Sequence, residues 1–440
     1  MLSELFEIGK KWQLECFTEE DDQEEMPFEL LVSQICSHTR RIALSTPRIW
    51  SSIDIRPSSQ RERVKAYVAR SASAWLRIRI DMMQTMSSDD EEALDVLLDV
   101  ICPQSYRWRR LSIVRLFESK DYAVIRRICD CHTPDLRDLS VVVEDIDREE
   151  INALVSRLRL PSMFRNTGEL CFLRLSGLAL HFFRPRLDSI VVLHLDETKQ
   201  IPMKYNKFRE IMLSSPTLMH LSIYGDIVAA RTWPRQQNDI TMTSLQSLRI
   251  CGMSSEVYSN ILVTIEAPML ESLTLKQLHE HDLDALVEIA DVAKFSNLKS
   301  LTFWDFDVSI YAYERIMRLF KNVTSFSTFH SALPDSHLVE LLLDTSQIAR
   351  KDVQPLWPML KLLSFPSNGD DDDIDLAQAL RISRNMNGCP VPTIVLCTNA
   401  EDGDEVVESE VQGIKVCPSS SPVTWPSDFV EHIQDDIFLH

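Results

Sequence analysis

Glycine is scarce: nine in 440 positions, about 2% against a usual level of about 7%. Phosphate-cradling loops and dinucleotide fingerprints need several glycines close together, because backbone must approach phosphate with no Cβ in the way. No such cluster occurs, which disfavours nucleotide-dependent catalysis by the common routes. A G-x-S-x-G nucleophile elbow is also missing. MLSELFEIGKKWQLE lacks the basic start and apolar core of a signal peptide, and no apolar run approaches the ~20 residues of a membrane-spanning helix. Positive charge is short, with 46 Lys and Arg against 66 Asp and Glu and a net charge of -20. Nucleic acid and anionic membrane are therefore not expected as partners. The chain reads as soluble and intracellular.

Apolar content of 45% and charged content of 25% are those of a folded globular protein. The length allows two or more domains or one extended repeat array. Ten cysteines are scattered along the chain. Most lie inside apolar runs, as Cys171 does in Glu-Leu-Cys-Phe-Leu and Cys397 in Ile-Val-Leu-Cys. They read as buried, reduced thiols rather than a disulfide frame.

A self-similar pattern emerges when the leucines are aligned. Leu218-Met-His-Leu221-Ser-Ile223 is followed by Leu245-Gln-Ser-Leu248-Arg-Ile250, Leu270-Glu-Ser-Leu273-Thr-Leu275, Leu298-Lys-Ser-Leu301-Thr-Phe303 and the weaker Val323-Thr-Ser-Phe326. Their starts lie 27, 25, 28 and 25 residues apart. The segments beginning at Leu136, Leu170, Ile190 and Leu360 fit the same template. L-x-x-L-x-L at such a period is the leucine-rich-repeat signature. Its last two apolar residues are two apart on a short strand, so both point into the core. Between the strands, 282–290 and 309–320 carry helical spacing. A strand-turn-helix unit cannot bury its own apolar face, so units stack into a curved solenoid. The Asn often found three residues past the last strand leucine is absent, with Asp226, Met253, Leu278 and Phe306 in its place. The turns must be satisfied in another way.

Residues flanking the strand leucines point to the opposite, concave face. They include Arg174, His194, His220, Tyr224, Arg249, Lys276 and Trp304, among serines and threonines. Aromatic, Arg and small polar groups together are the composition of protein-binding surfaces. These seven are the expected contacts for a target protein, with Tyr224 and Trp304 as anchors.

The N-terminal pattern is different. Leu31, Ile35, His38 and Ile42 form one helical stripe, a helix is expected to stop near Leu44, and Ser45-Thr46-Pro47 offers an N-cap and a Pro for a new turn presenting Ile49 and Trp50. Ser33-Gln34-Ile35-Cys36-Ser37, Arg41-Ile42-Ala43-Leu44-Ser45-Thr46-Pro47, Trp50-Ser51-Ser52-Ile53 and the later Tyr67–Ile80 segment together resemble the F-box-like domains abundant in mushroom-forming fungi. The resemblance covers roughly residues 1 to 80, and the repeats that follow fit an F-box plus leucine-rich-repeat layout. It implies a substrate-recognition subunit of a cullin-type (SCF) ubiquitin ligase, with helices gripping a Skp-family adaptor and, through it, the cullin. Leu5, Leu31, Ile35, Ile42, Pro47, Ile49 and Trp50 are the residues it assigns to that grip. Two departures stand out. The family's opening Leu-Pro-x-Glu-(Ile/Leu)-Leu is not found at Met1-Leu2-Ser3-Glu4-Leu5-Phe6, so the first helix reads as incomplete and the chain as starting late. Thr39 stands where an aromatic residue is expected; losing a buried Trp-sized side chain costs about 3 kcal/mol or more unless the site repacks.

Other candidate chemistry is weak. Cys129-Asp-Cys131-His132 has no second ligand pair at zinc-site distance. His279-Glu280-His281 places its histidines two apart, unsuited to one helix face. Asp370 to Asp373 lacks the glycine and terminal Glu of a calcium loop and reads as a helix N-terminal cluster. No metal, cofactor or catalytic residue is expected. The chain is expected to be an α/β repeat solenoid of irregular leucine-rich repeats behind a small all-α F-box-like domain. The segments are 1–55 for the helical domain, 56–105 for a connecting helix and strand, 106–400 for the solenoid and 401–440 for an acidic tail or cap. The alternative function is a leucine-rich scaffold outside the ligase, with the helices as its N-terminal cap.

Overall fold

A computed structural model describes residues 2–16, 26–56, 58–81, 88–114, 127–128, 130–143, 169–177, 179–182, 185–198, 201–234, 238–279, 281–283, 292–306, 308–331, 336–347, 356–367, 371–398, 409–411 and 414–418. The chain forms two compact units, Met1–Ile201 with Thr424–His440, and Pro202–Val423.

The first unit begins with α1 (Leu2–Cys16), α2 (Phe28–Ile35), α3 (Ser37–Leu44) and a 3-10 turn, Pro47–Trp50. Its strands are β1 (Ser52–Ile55), β2 (Leu76–Asp81), β3 (Trp108–Val114), β4 (Asp138–Val143), β5 (Phe172–Gly177) and β6 (Val192–Asp196), with α4 (Arg61–Arg70) and α5 (Ser88–Ile101) between the early ones. Neighbours pair parallel in chain order. Parallel pairing requires a crossover after every strand, which the intervening segments supply. Ile53, Ile78, Leu111, Leu139, Leu173 and Leu193 are successive register partners, and all are buried.

The second unit repeats the arrangement. Its strands are β7 (His220–Tyr224), β8 (Ile240–Thr241), β9 (Ser247–Cys251), β10 (Ile265–Glu266), β11 (Ser272–Lys276), β12 (Ser300–Phe306), β13 (Ser325–Ser331), β14 (Leu362–Pro366), β15 (Thr393–Thr398), β16 (Ser409–Val411) and β17 (Ile414–Pro418). The sheet runs β7-β9-β11-β12-β13-β14-β15-β17-β16, and β8 and β10 form a separate parallel pair. Among the described residues only β16 pairs antiparallel. The template leucines fall into one row: Leu221, Leu248, Leu273, Leu301, Phe326, Leu363, Ile394 and Ile414. The period-2 reading of the sequence is therefore the observed register. A one-residue slip would turn every member of this row to the other face.

The strand turns are satisfied at both ends. At the starts, the residue before the first template position donates to a carbonyl of the preceding unit: Ser244 Oγ to Pro216 O (2.9 Å), Asn297 Nδ2 to Pro268 O (2.7 Å) and Asn322 Nδ2 to Ser296 O (2.7 Å). A side-chain ladder thus stands before the strands. At the ends, Asp226 Oδ1 accepts from the Met253 and Ser254 amides at 3.0 and 3.1 Å. Gly225 leaves β7 with φ +76°, a left-handed conformation that glycine adopts without strain; Gln277 takes a similar one after β11, at +57°.

Several expectations change. The stripe Leu31–Ile42 is not one helix: Cys36, at φ -158° and ψ 171°, ends α2 and caps α3. Parallel strands begin at Ser52, before residue 106, and in the segment expected to be an acidic tail or cap β17 joins the second unit's sheet, with Ile414 fully buried against Ile394. Among the cysteines whose side chains are described, Cys251 and Cys397 are buried, Cys36 is exposed, and Cys102, Cys131, Cys171 and Cys389 are half-buried, all free thiols. The helix expected at 309–320 is present as Ile310–Leu319, where Ser309 Oγ accepts from Ala312 N at 3.4 Å. Nearly all of the one expected at 282–290 lies outside the described residues, as do Cys129, Asp370, 401–408 and 419–440.

Candidate functional site

Two surfaces draw on the expected site residues. The first is on the N-terminal helices. α1 crosses α2 at Gly9, where a Cβ would come within 2.5 Å of the Phe28 ring, so glycine sets the closeness of the crossing. Phe6 packs edge-on against Phe28 (6.3 Å between centroids), and Gln13 Oε1 accepts from the Phe28 amide at 3.0 Å. Glu29, 2% exposed, pairs with Lys10 at 2.7 Å and accepts from the Tyr67 hydroxyl at 2.7 Å. One buried carboxylate thus ties α1, α2 and α4 together. Burial, with the Glu29 charge beside it, pushes the Tyr67 phenol well above its ordinary range.

The α2–α3 break is built from Cys36 and Thr39. Cys36 Sγ accepts from the Thr39 amide at 3.4 Å, and Thr39 Oγ1 accepts from the Cys36 amide at 3.1 Å. This is a capping box with cysteine in the place usually taken by Ser or Thr. Thr39, odd as the occupant of an aromatic position, is explained by that role. α3 stops at Leu44 and Pro47 opens the next turn, as the sequence suggested, but Thr46 does not cap it: its hydroxyl donates back to Ile42 O at 2.8 Å.

Ile49 and Trp50 are not presented to solvent, being 1% and 0% exposed. Trp50 Nε1 donates to Ala43 O at 2.8 Å, its ring meets Tyr67 edge-on at 5.2 Å, and the Arg70 guanidinium stacks over it at 4.4 Å. The turn faces inward because the indole has both an apolar pocket and a carbonyl acceptor there. Ile42 and Pro47 are half-buried. By contrast, Leu5, Leu31 and Ile35 are 53, 51 and 65% exposed, joined by Ile8 and Met26. Leu31 and Ile35 lie one turn apart on α2, and Leu5 and Ile8 one turn apart on α1, so each helix carries an apolar stripe in water.

A motif overlooked at the chain start lies here. Met26-Pro27-Phe28-Glu29-Leu30-Leu31 fits the Leu-Pro-x-Glu-Leu-Leu opening sought at Met1, with Met for the first Leu. It opens α2, with Pro27 at the N-cap. The pattern was findable from sequence by allowing Met in its first place.

The second surface is the face of the strands opposite the leucines. Here the expectation of a solvent-facing row fails for most members. Arg174, His194, Arg249, Lys276 and Trp304 are all buried, and β5, β6 and β9 are buried on both faces along their length. The register explains part of this, because each long side chain lies along a neighbour one strand away. Arg174 Nε pairs with Asp196 Oδ2 at 2.8 Å, and His194 packs on Phe172 at 5.2 Å. Arg249 donates to Ser222 Oγ at 3.2 Å. Lys276 sits 5.0 Å over the Trp304 ring and 3.7 Å from Asp305, while Trp304 leans on Phe329 at 5.9 Å. His220 and Tyr224 remain half-exposed, and burial lowers the His220 pKa. Around them the row Ser247, Ser272, Ser300 and Ser325 and the row Thr274, Thr302 and Ser327 line the face with hydroxyls.

Among the described residues no group of three His, Cys, Asp or Glu side chains could hold a metal ion, and no helix is long and apolar enough to cross a membrane. Cys131 and His132 lie in a turn, as does His281; Asp371, Asp372 and Asp373 open the helix Asp371–Met386. No family model matches the chain, and no curated protein matches it.

Proposed function

We propose that this chain is a substrate-recognition adaptor of a cullin-type ubiquitin ligase. In this reading its F-box-like helices dock a Skp-family adaptor and its strands form an irregular leucine-rich-repeat solenoid that holds the target protein. The observation that carries it is a coincidence of motif and exposure. Met26-Pro27-Phe28-Glu29-Leu30-Leu31 opens a helix whose Leu31 and Ile35 stand in water, where an unpartnered apolar stripe is the usual mark of a helix that binds another protein. Glu29 faces inward and holds the helices in place, while the apolar members of the run face outward. The target would meet the hydroxyl-lined face beside His220 and Tyr224. Such a subunit makes and breaks no covalent bond.

The test is co-purification of the full chain with a Skp-family adaptor, comparing wild type with the Leu31→Asp, Ile35→Asp double variant. Both positions are exposed, so the variant should melt with the wild type. Capture by the wild type and loss in the variant are expected. A folded wild type that captures no adaptor would transfer the assignment to a second reading, a binding scaffold whose helices cap the ladder. That reading draws on the inward turn of Ile49 and Trp50 next to β1.

A further inference from the structure

A pair of exposed aromatic residues in the first unit belongs to neither surface. Trp75, which leads into β2, is 57% exposed, and Tyr106, in the 3-10 turn Cys102–Arg107, is 52% exposed. The loop that presents Trp75 is fastened by a buried arginine. Arg107 donates from Nε and Nη2 to Ala74 O at 3.0 and 2.8 Å, and from Nη2 to Ser71 Oγ at 2.9 Å. Its Nη1 donates to Gln104 Oε1 at 3.1 Å, which also accepts from the Tyr106 hydroxyl at 3.4 Å. One guanidinium therefore ties both aromatic segments together. Within the loop the Ala74 amide donates to Ser71 O at 2.8 Å, and Ala72 is held at φ +46°, in the left-handed region that alanine seldom adopts.

Two further arginines adjoin the pair. The Arg109 guanidinium stacks over the Trp75 ring at 4.6 Å. Stacking uses its flat face and leaves the N–H donors in its plane for another group. The Arg137 amide donates to Arg109 O at 2.9 Å, so Arg137, which is exposed, is its neighbour at the start of the next strand. Arg110 and Asp138, the residues that follow them, pair at 3.6 Å. Among the described residues neither Arg109 nor Arg137 has an ion pair, although Asp135 and Glu169 are exposed in the adjoining segments. The surroundings are basic in an acidic chain. Residues 40–79 hold ten Lys and Arg against Asp54 and Glu62, and 102–114 hold three Arg and no carboxylate, where the whole chain carries -20.

We propose that Trp75, Tyr106, Arg109 and Arg137 form a docking site for an acidic segment of a partner protein. An apolar side chain of that segment packs on the exposed aromatics, and its flanking carboxylates meet Arg109 and Arg137. Trp, Tyr and Arg are the residues that dominate binding energy at protein interfaces. Fastening them beforehand removes much of the ordering cost that a flexible loop would incur on association. A carboxylate matches the planar guanidinium fork in a way that no neutral group does. The local positive charge steers acidic segments here against the field of the chain as a whole.

The test applies the full-length protein to an array of short peptides. One set places Asp and Glu around a central Leu, Phe or Trp; matched sets carry Asn and Gln, or Lys, in place of the acids. Capture by the acidic set alone is expected, and it should weaken as salt is raised. Trp75→Ala, and separately Arg109→Gln with Arg137→Gln, should each weaken capture about tenfold or more, as the loss of a dominant interface residue does. Trp75 and Arg137 are exposed, so melting temperatures equal to the wild type's are expected and show that the variants are folded. The comparison among peptide sets on the wild type needs no variant to fold. A wild type that captures no acidic peptide, or captures the amide set equally well, overturns the proposal, as does undiminished capture by Trp75→Ala.

Discussion

The N-terminal helices and the second unit's strand ladder treat their apolar residues in opposite ways. Along the ladder, Leu218, Leu245, Leu270, Leu298, Val323 and Leu360 are between 0 and 3% exposed, and so are the strand leucines that follow them. Even the face opposite keeps Arg249, Lys276 and Trp304 inside. On α1 and α2, Leu5, Ile8, Leu31 and Ile35 are all more than half exposed, although Glu29, Phe6 and Val32 on the same helices are buried. A helix with one stripe in the core and a second stripe in water is larger in apolar surface than its own unit requires. The ladder buries its leucines through register, whereas α1 and α2 leave an apolar stripe in water. The difference separates residues whose loss should unfold the protein from residues whose loss should only unbind it.

The largest effect is expected in the strands. Asp196→Ala removes the carboxylate from Arg174, whose side chain is 4% exposed beside it. Breaking one partner out of a buried pair typically costs about 3–5 kcal/mol, and urea denaturation should show a loss of that order. Replacing both, as Arg174→Met with Asp196→Leu, should recover much of it, because no charge is left stranded. An unchanged midpoint in Asp196→Ala would mean that this face is hydrated, and the contrast with the helices would weaken. On the helical side, Leu31→Asp with Ile35→Asp should stay within about 0.5 kcal/mol of wild type, as exposed substitutions do, while adaptor capture is lost.

A smaller effect is expected at the junction of α2 and α3. Thr39→Ala removes one half of the capping box, and loss of a cap costs about 1 kcal/mol. Thr39→Ser retains the hydroxyl and should restore stability; Thr39→Val, which keeps the shape alone, should not. A Val variant as stable as wild type would show that the position is held by packing and not by the two hydrogen bonds.

Much of the ladder was legible because its period is written in leucines, and the register follows from the template one row at a time. β1, β2 and β3 escaped the template because Trp50, Trp75 and Trp108 stand three residues before Ile53, Ile78 and Leu111, where a leading leucine was sought. The break at Cys36 escaped because cysteine is an unusual N-cap and because Leu31, Ile35 and Ile42 keep their spacing across it. The burial of Arg174, His194 and Arg249 escaped for a more general reason. Alternation along a strand tells which side of a sheet a residue takes, and it says nothing about whether neighbouring side chains shield that side. Trp50 shows the same limit, since a short turn can present an indole or enclose it, and only the acceptor at Ala43 O decides.

The smallest effect is a dependence on pH within the second unit. Lys294 Nζ donates to Asn238 Oδ1 at 2.7 Å and to Val263 O at 2.6 Å, and burial lowers its pKa from 10.5 to about 8, against a weaker upward pull from Glu266. Below pH 8 folded and unfolded chains both carry the proton, so the folded state bears the burden of a partly buried ammonium. Between about 8 and 10.5 the unfolded state binds more protons than the folded one, and stability contributed by this site rises with pH. Neutral lysine still has two N–H donors for its two acceptors, so the hydrogen bonds survive the loss of charge. The melting temperature of the wild type relative to Lys294→Met should therefore climb from pH 7 to pH 10, with the variant cancelling the titration of every other group. A flat difference would place the ammonium in water, and this corner of the second unit would then resemble the N-terminal helices more than the ladder.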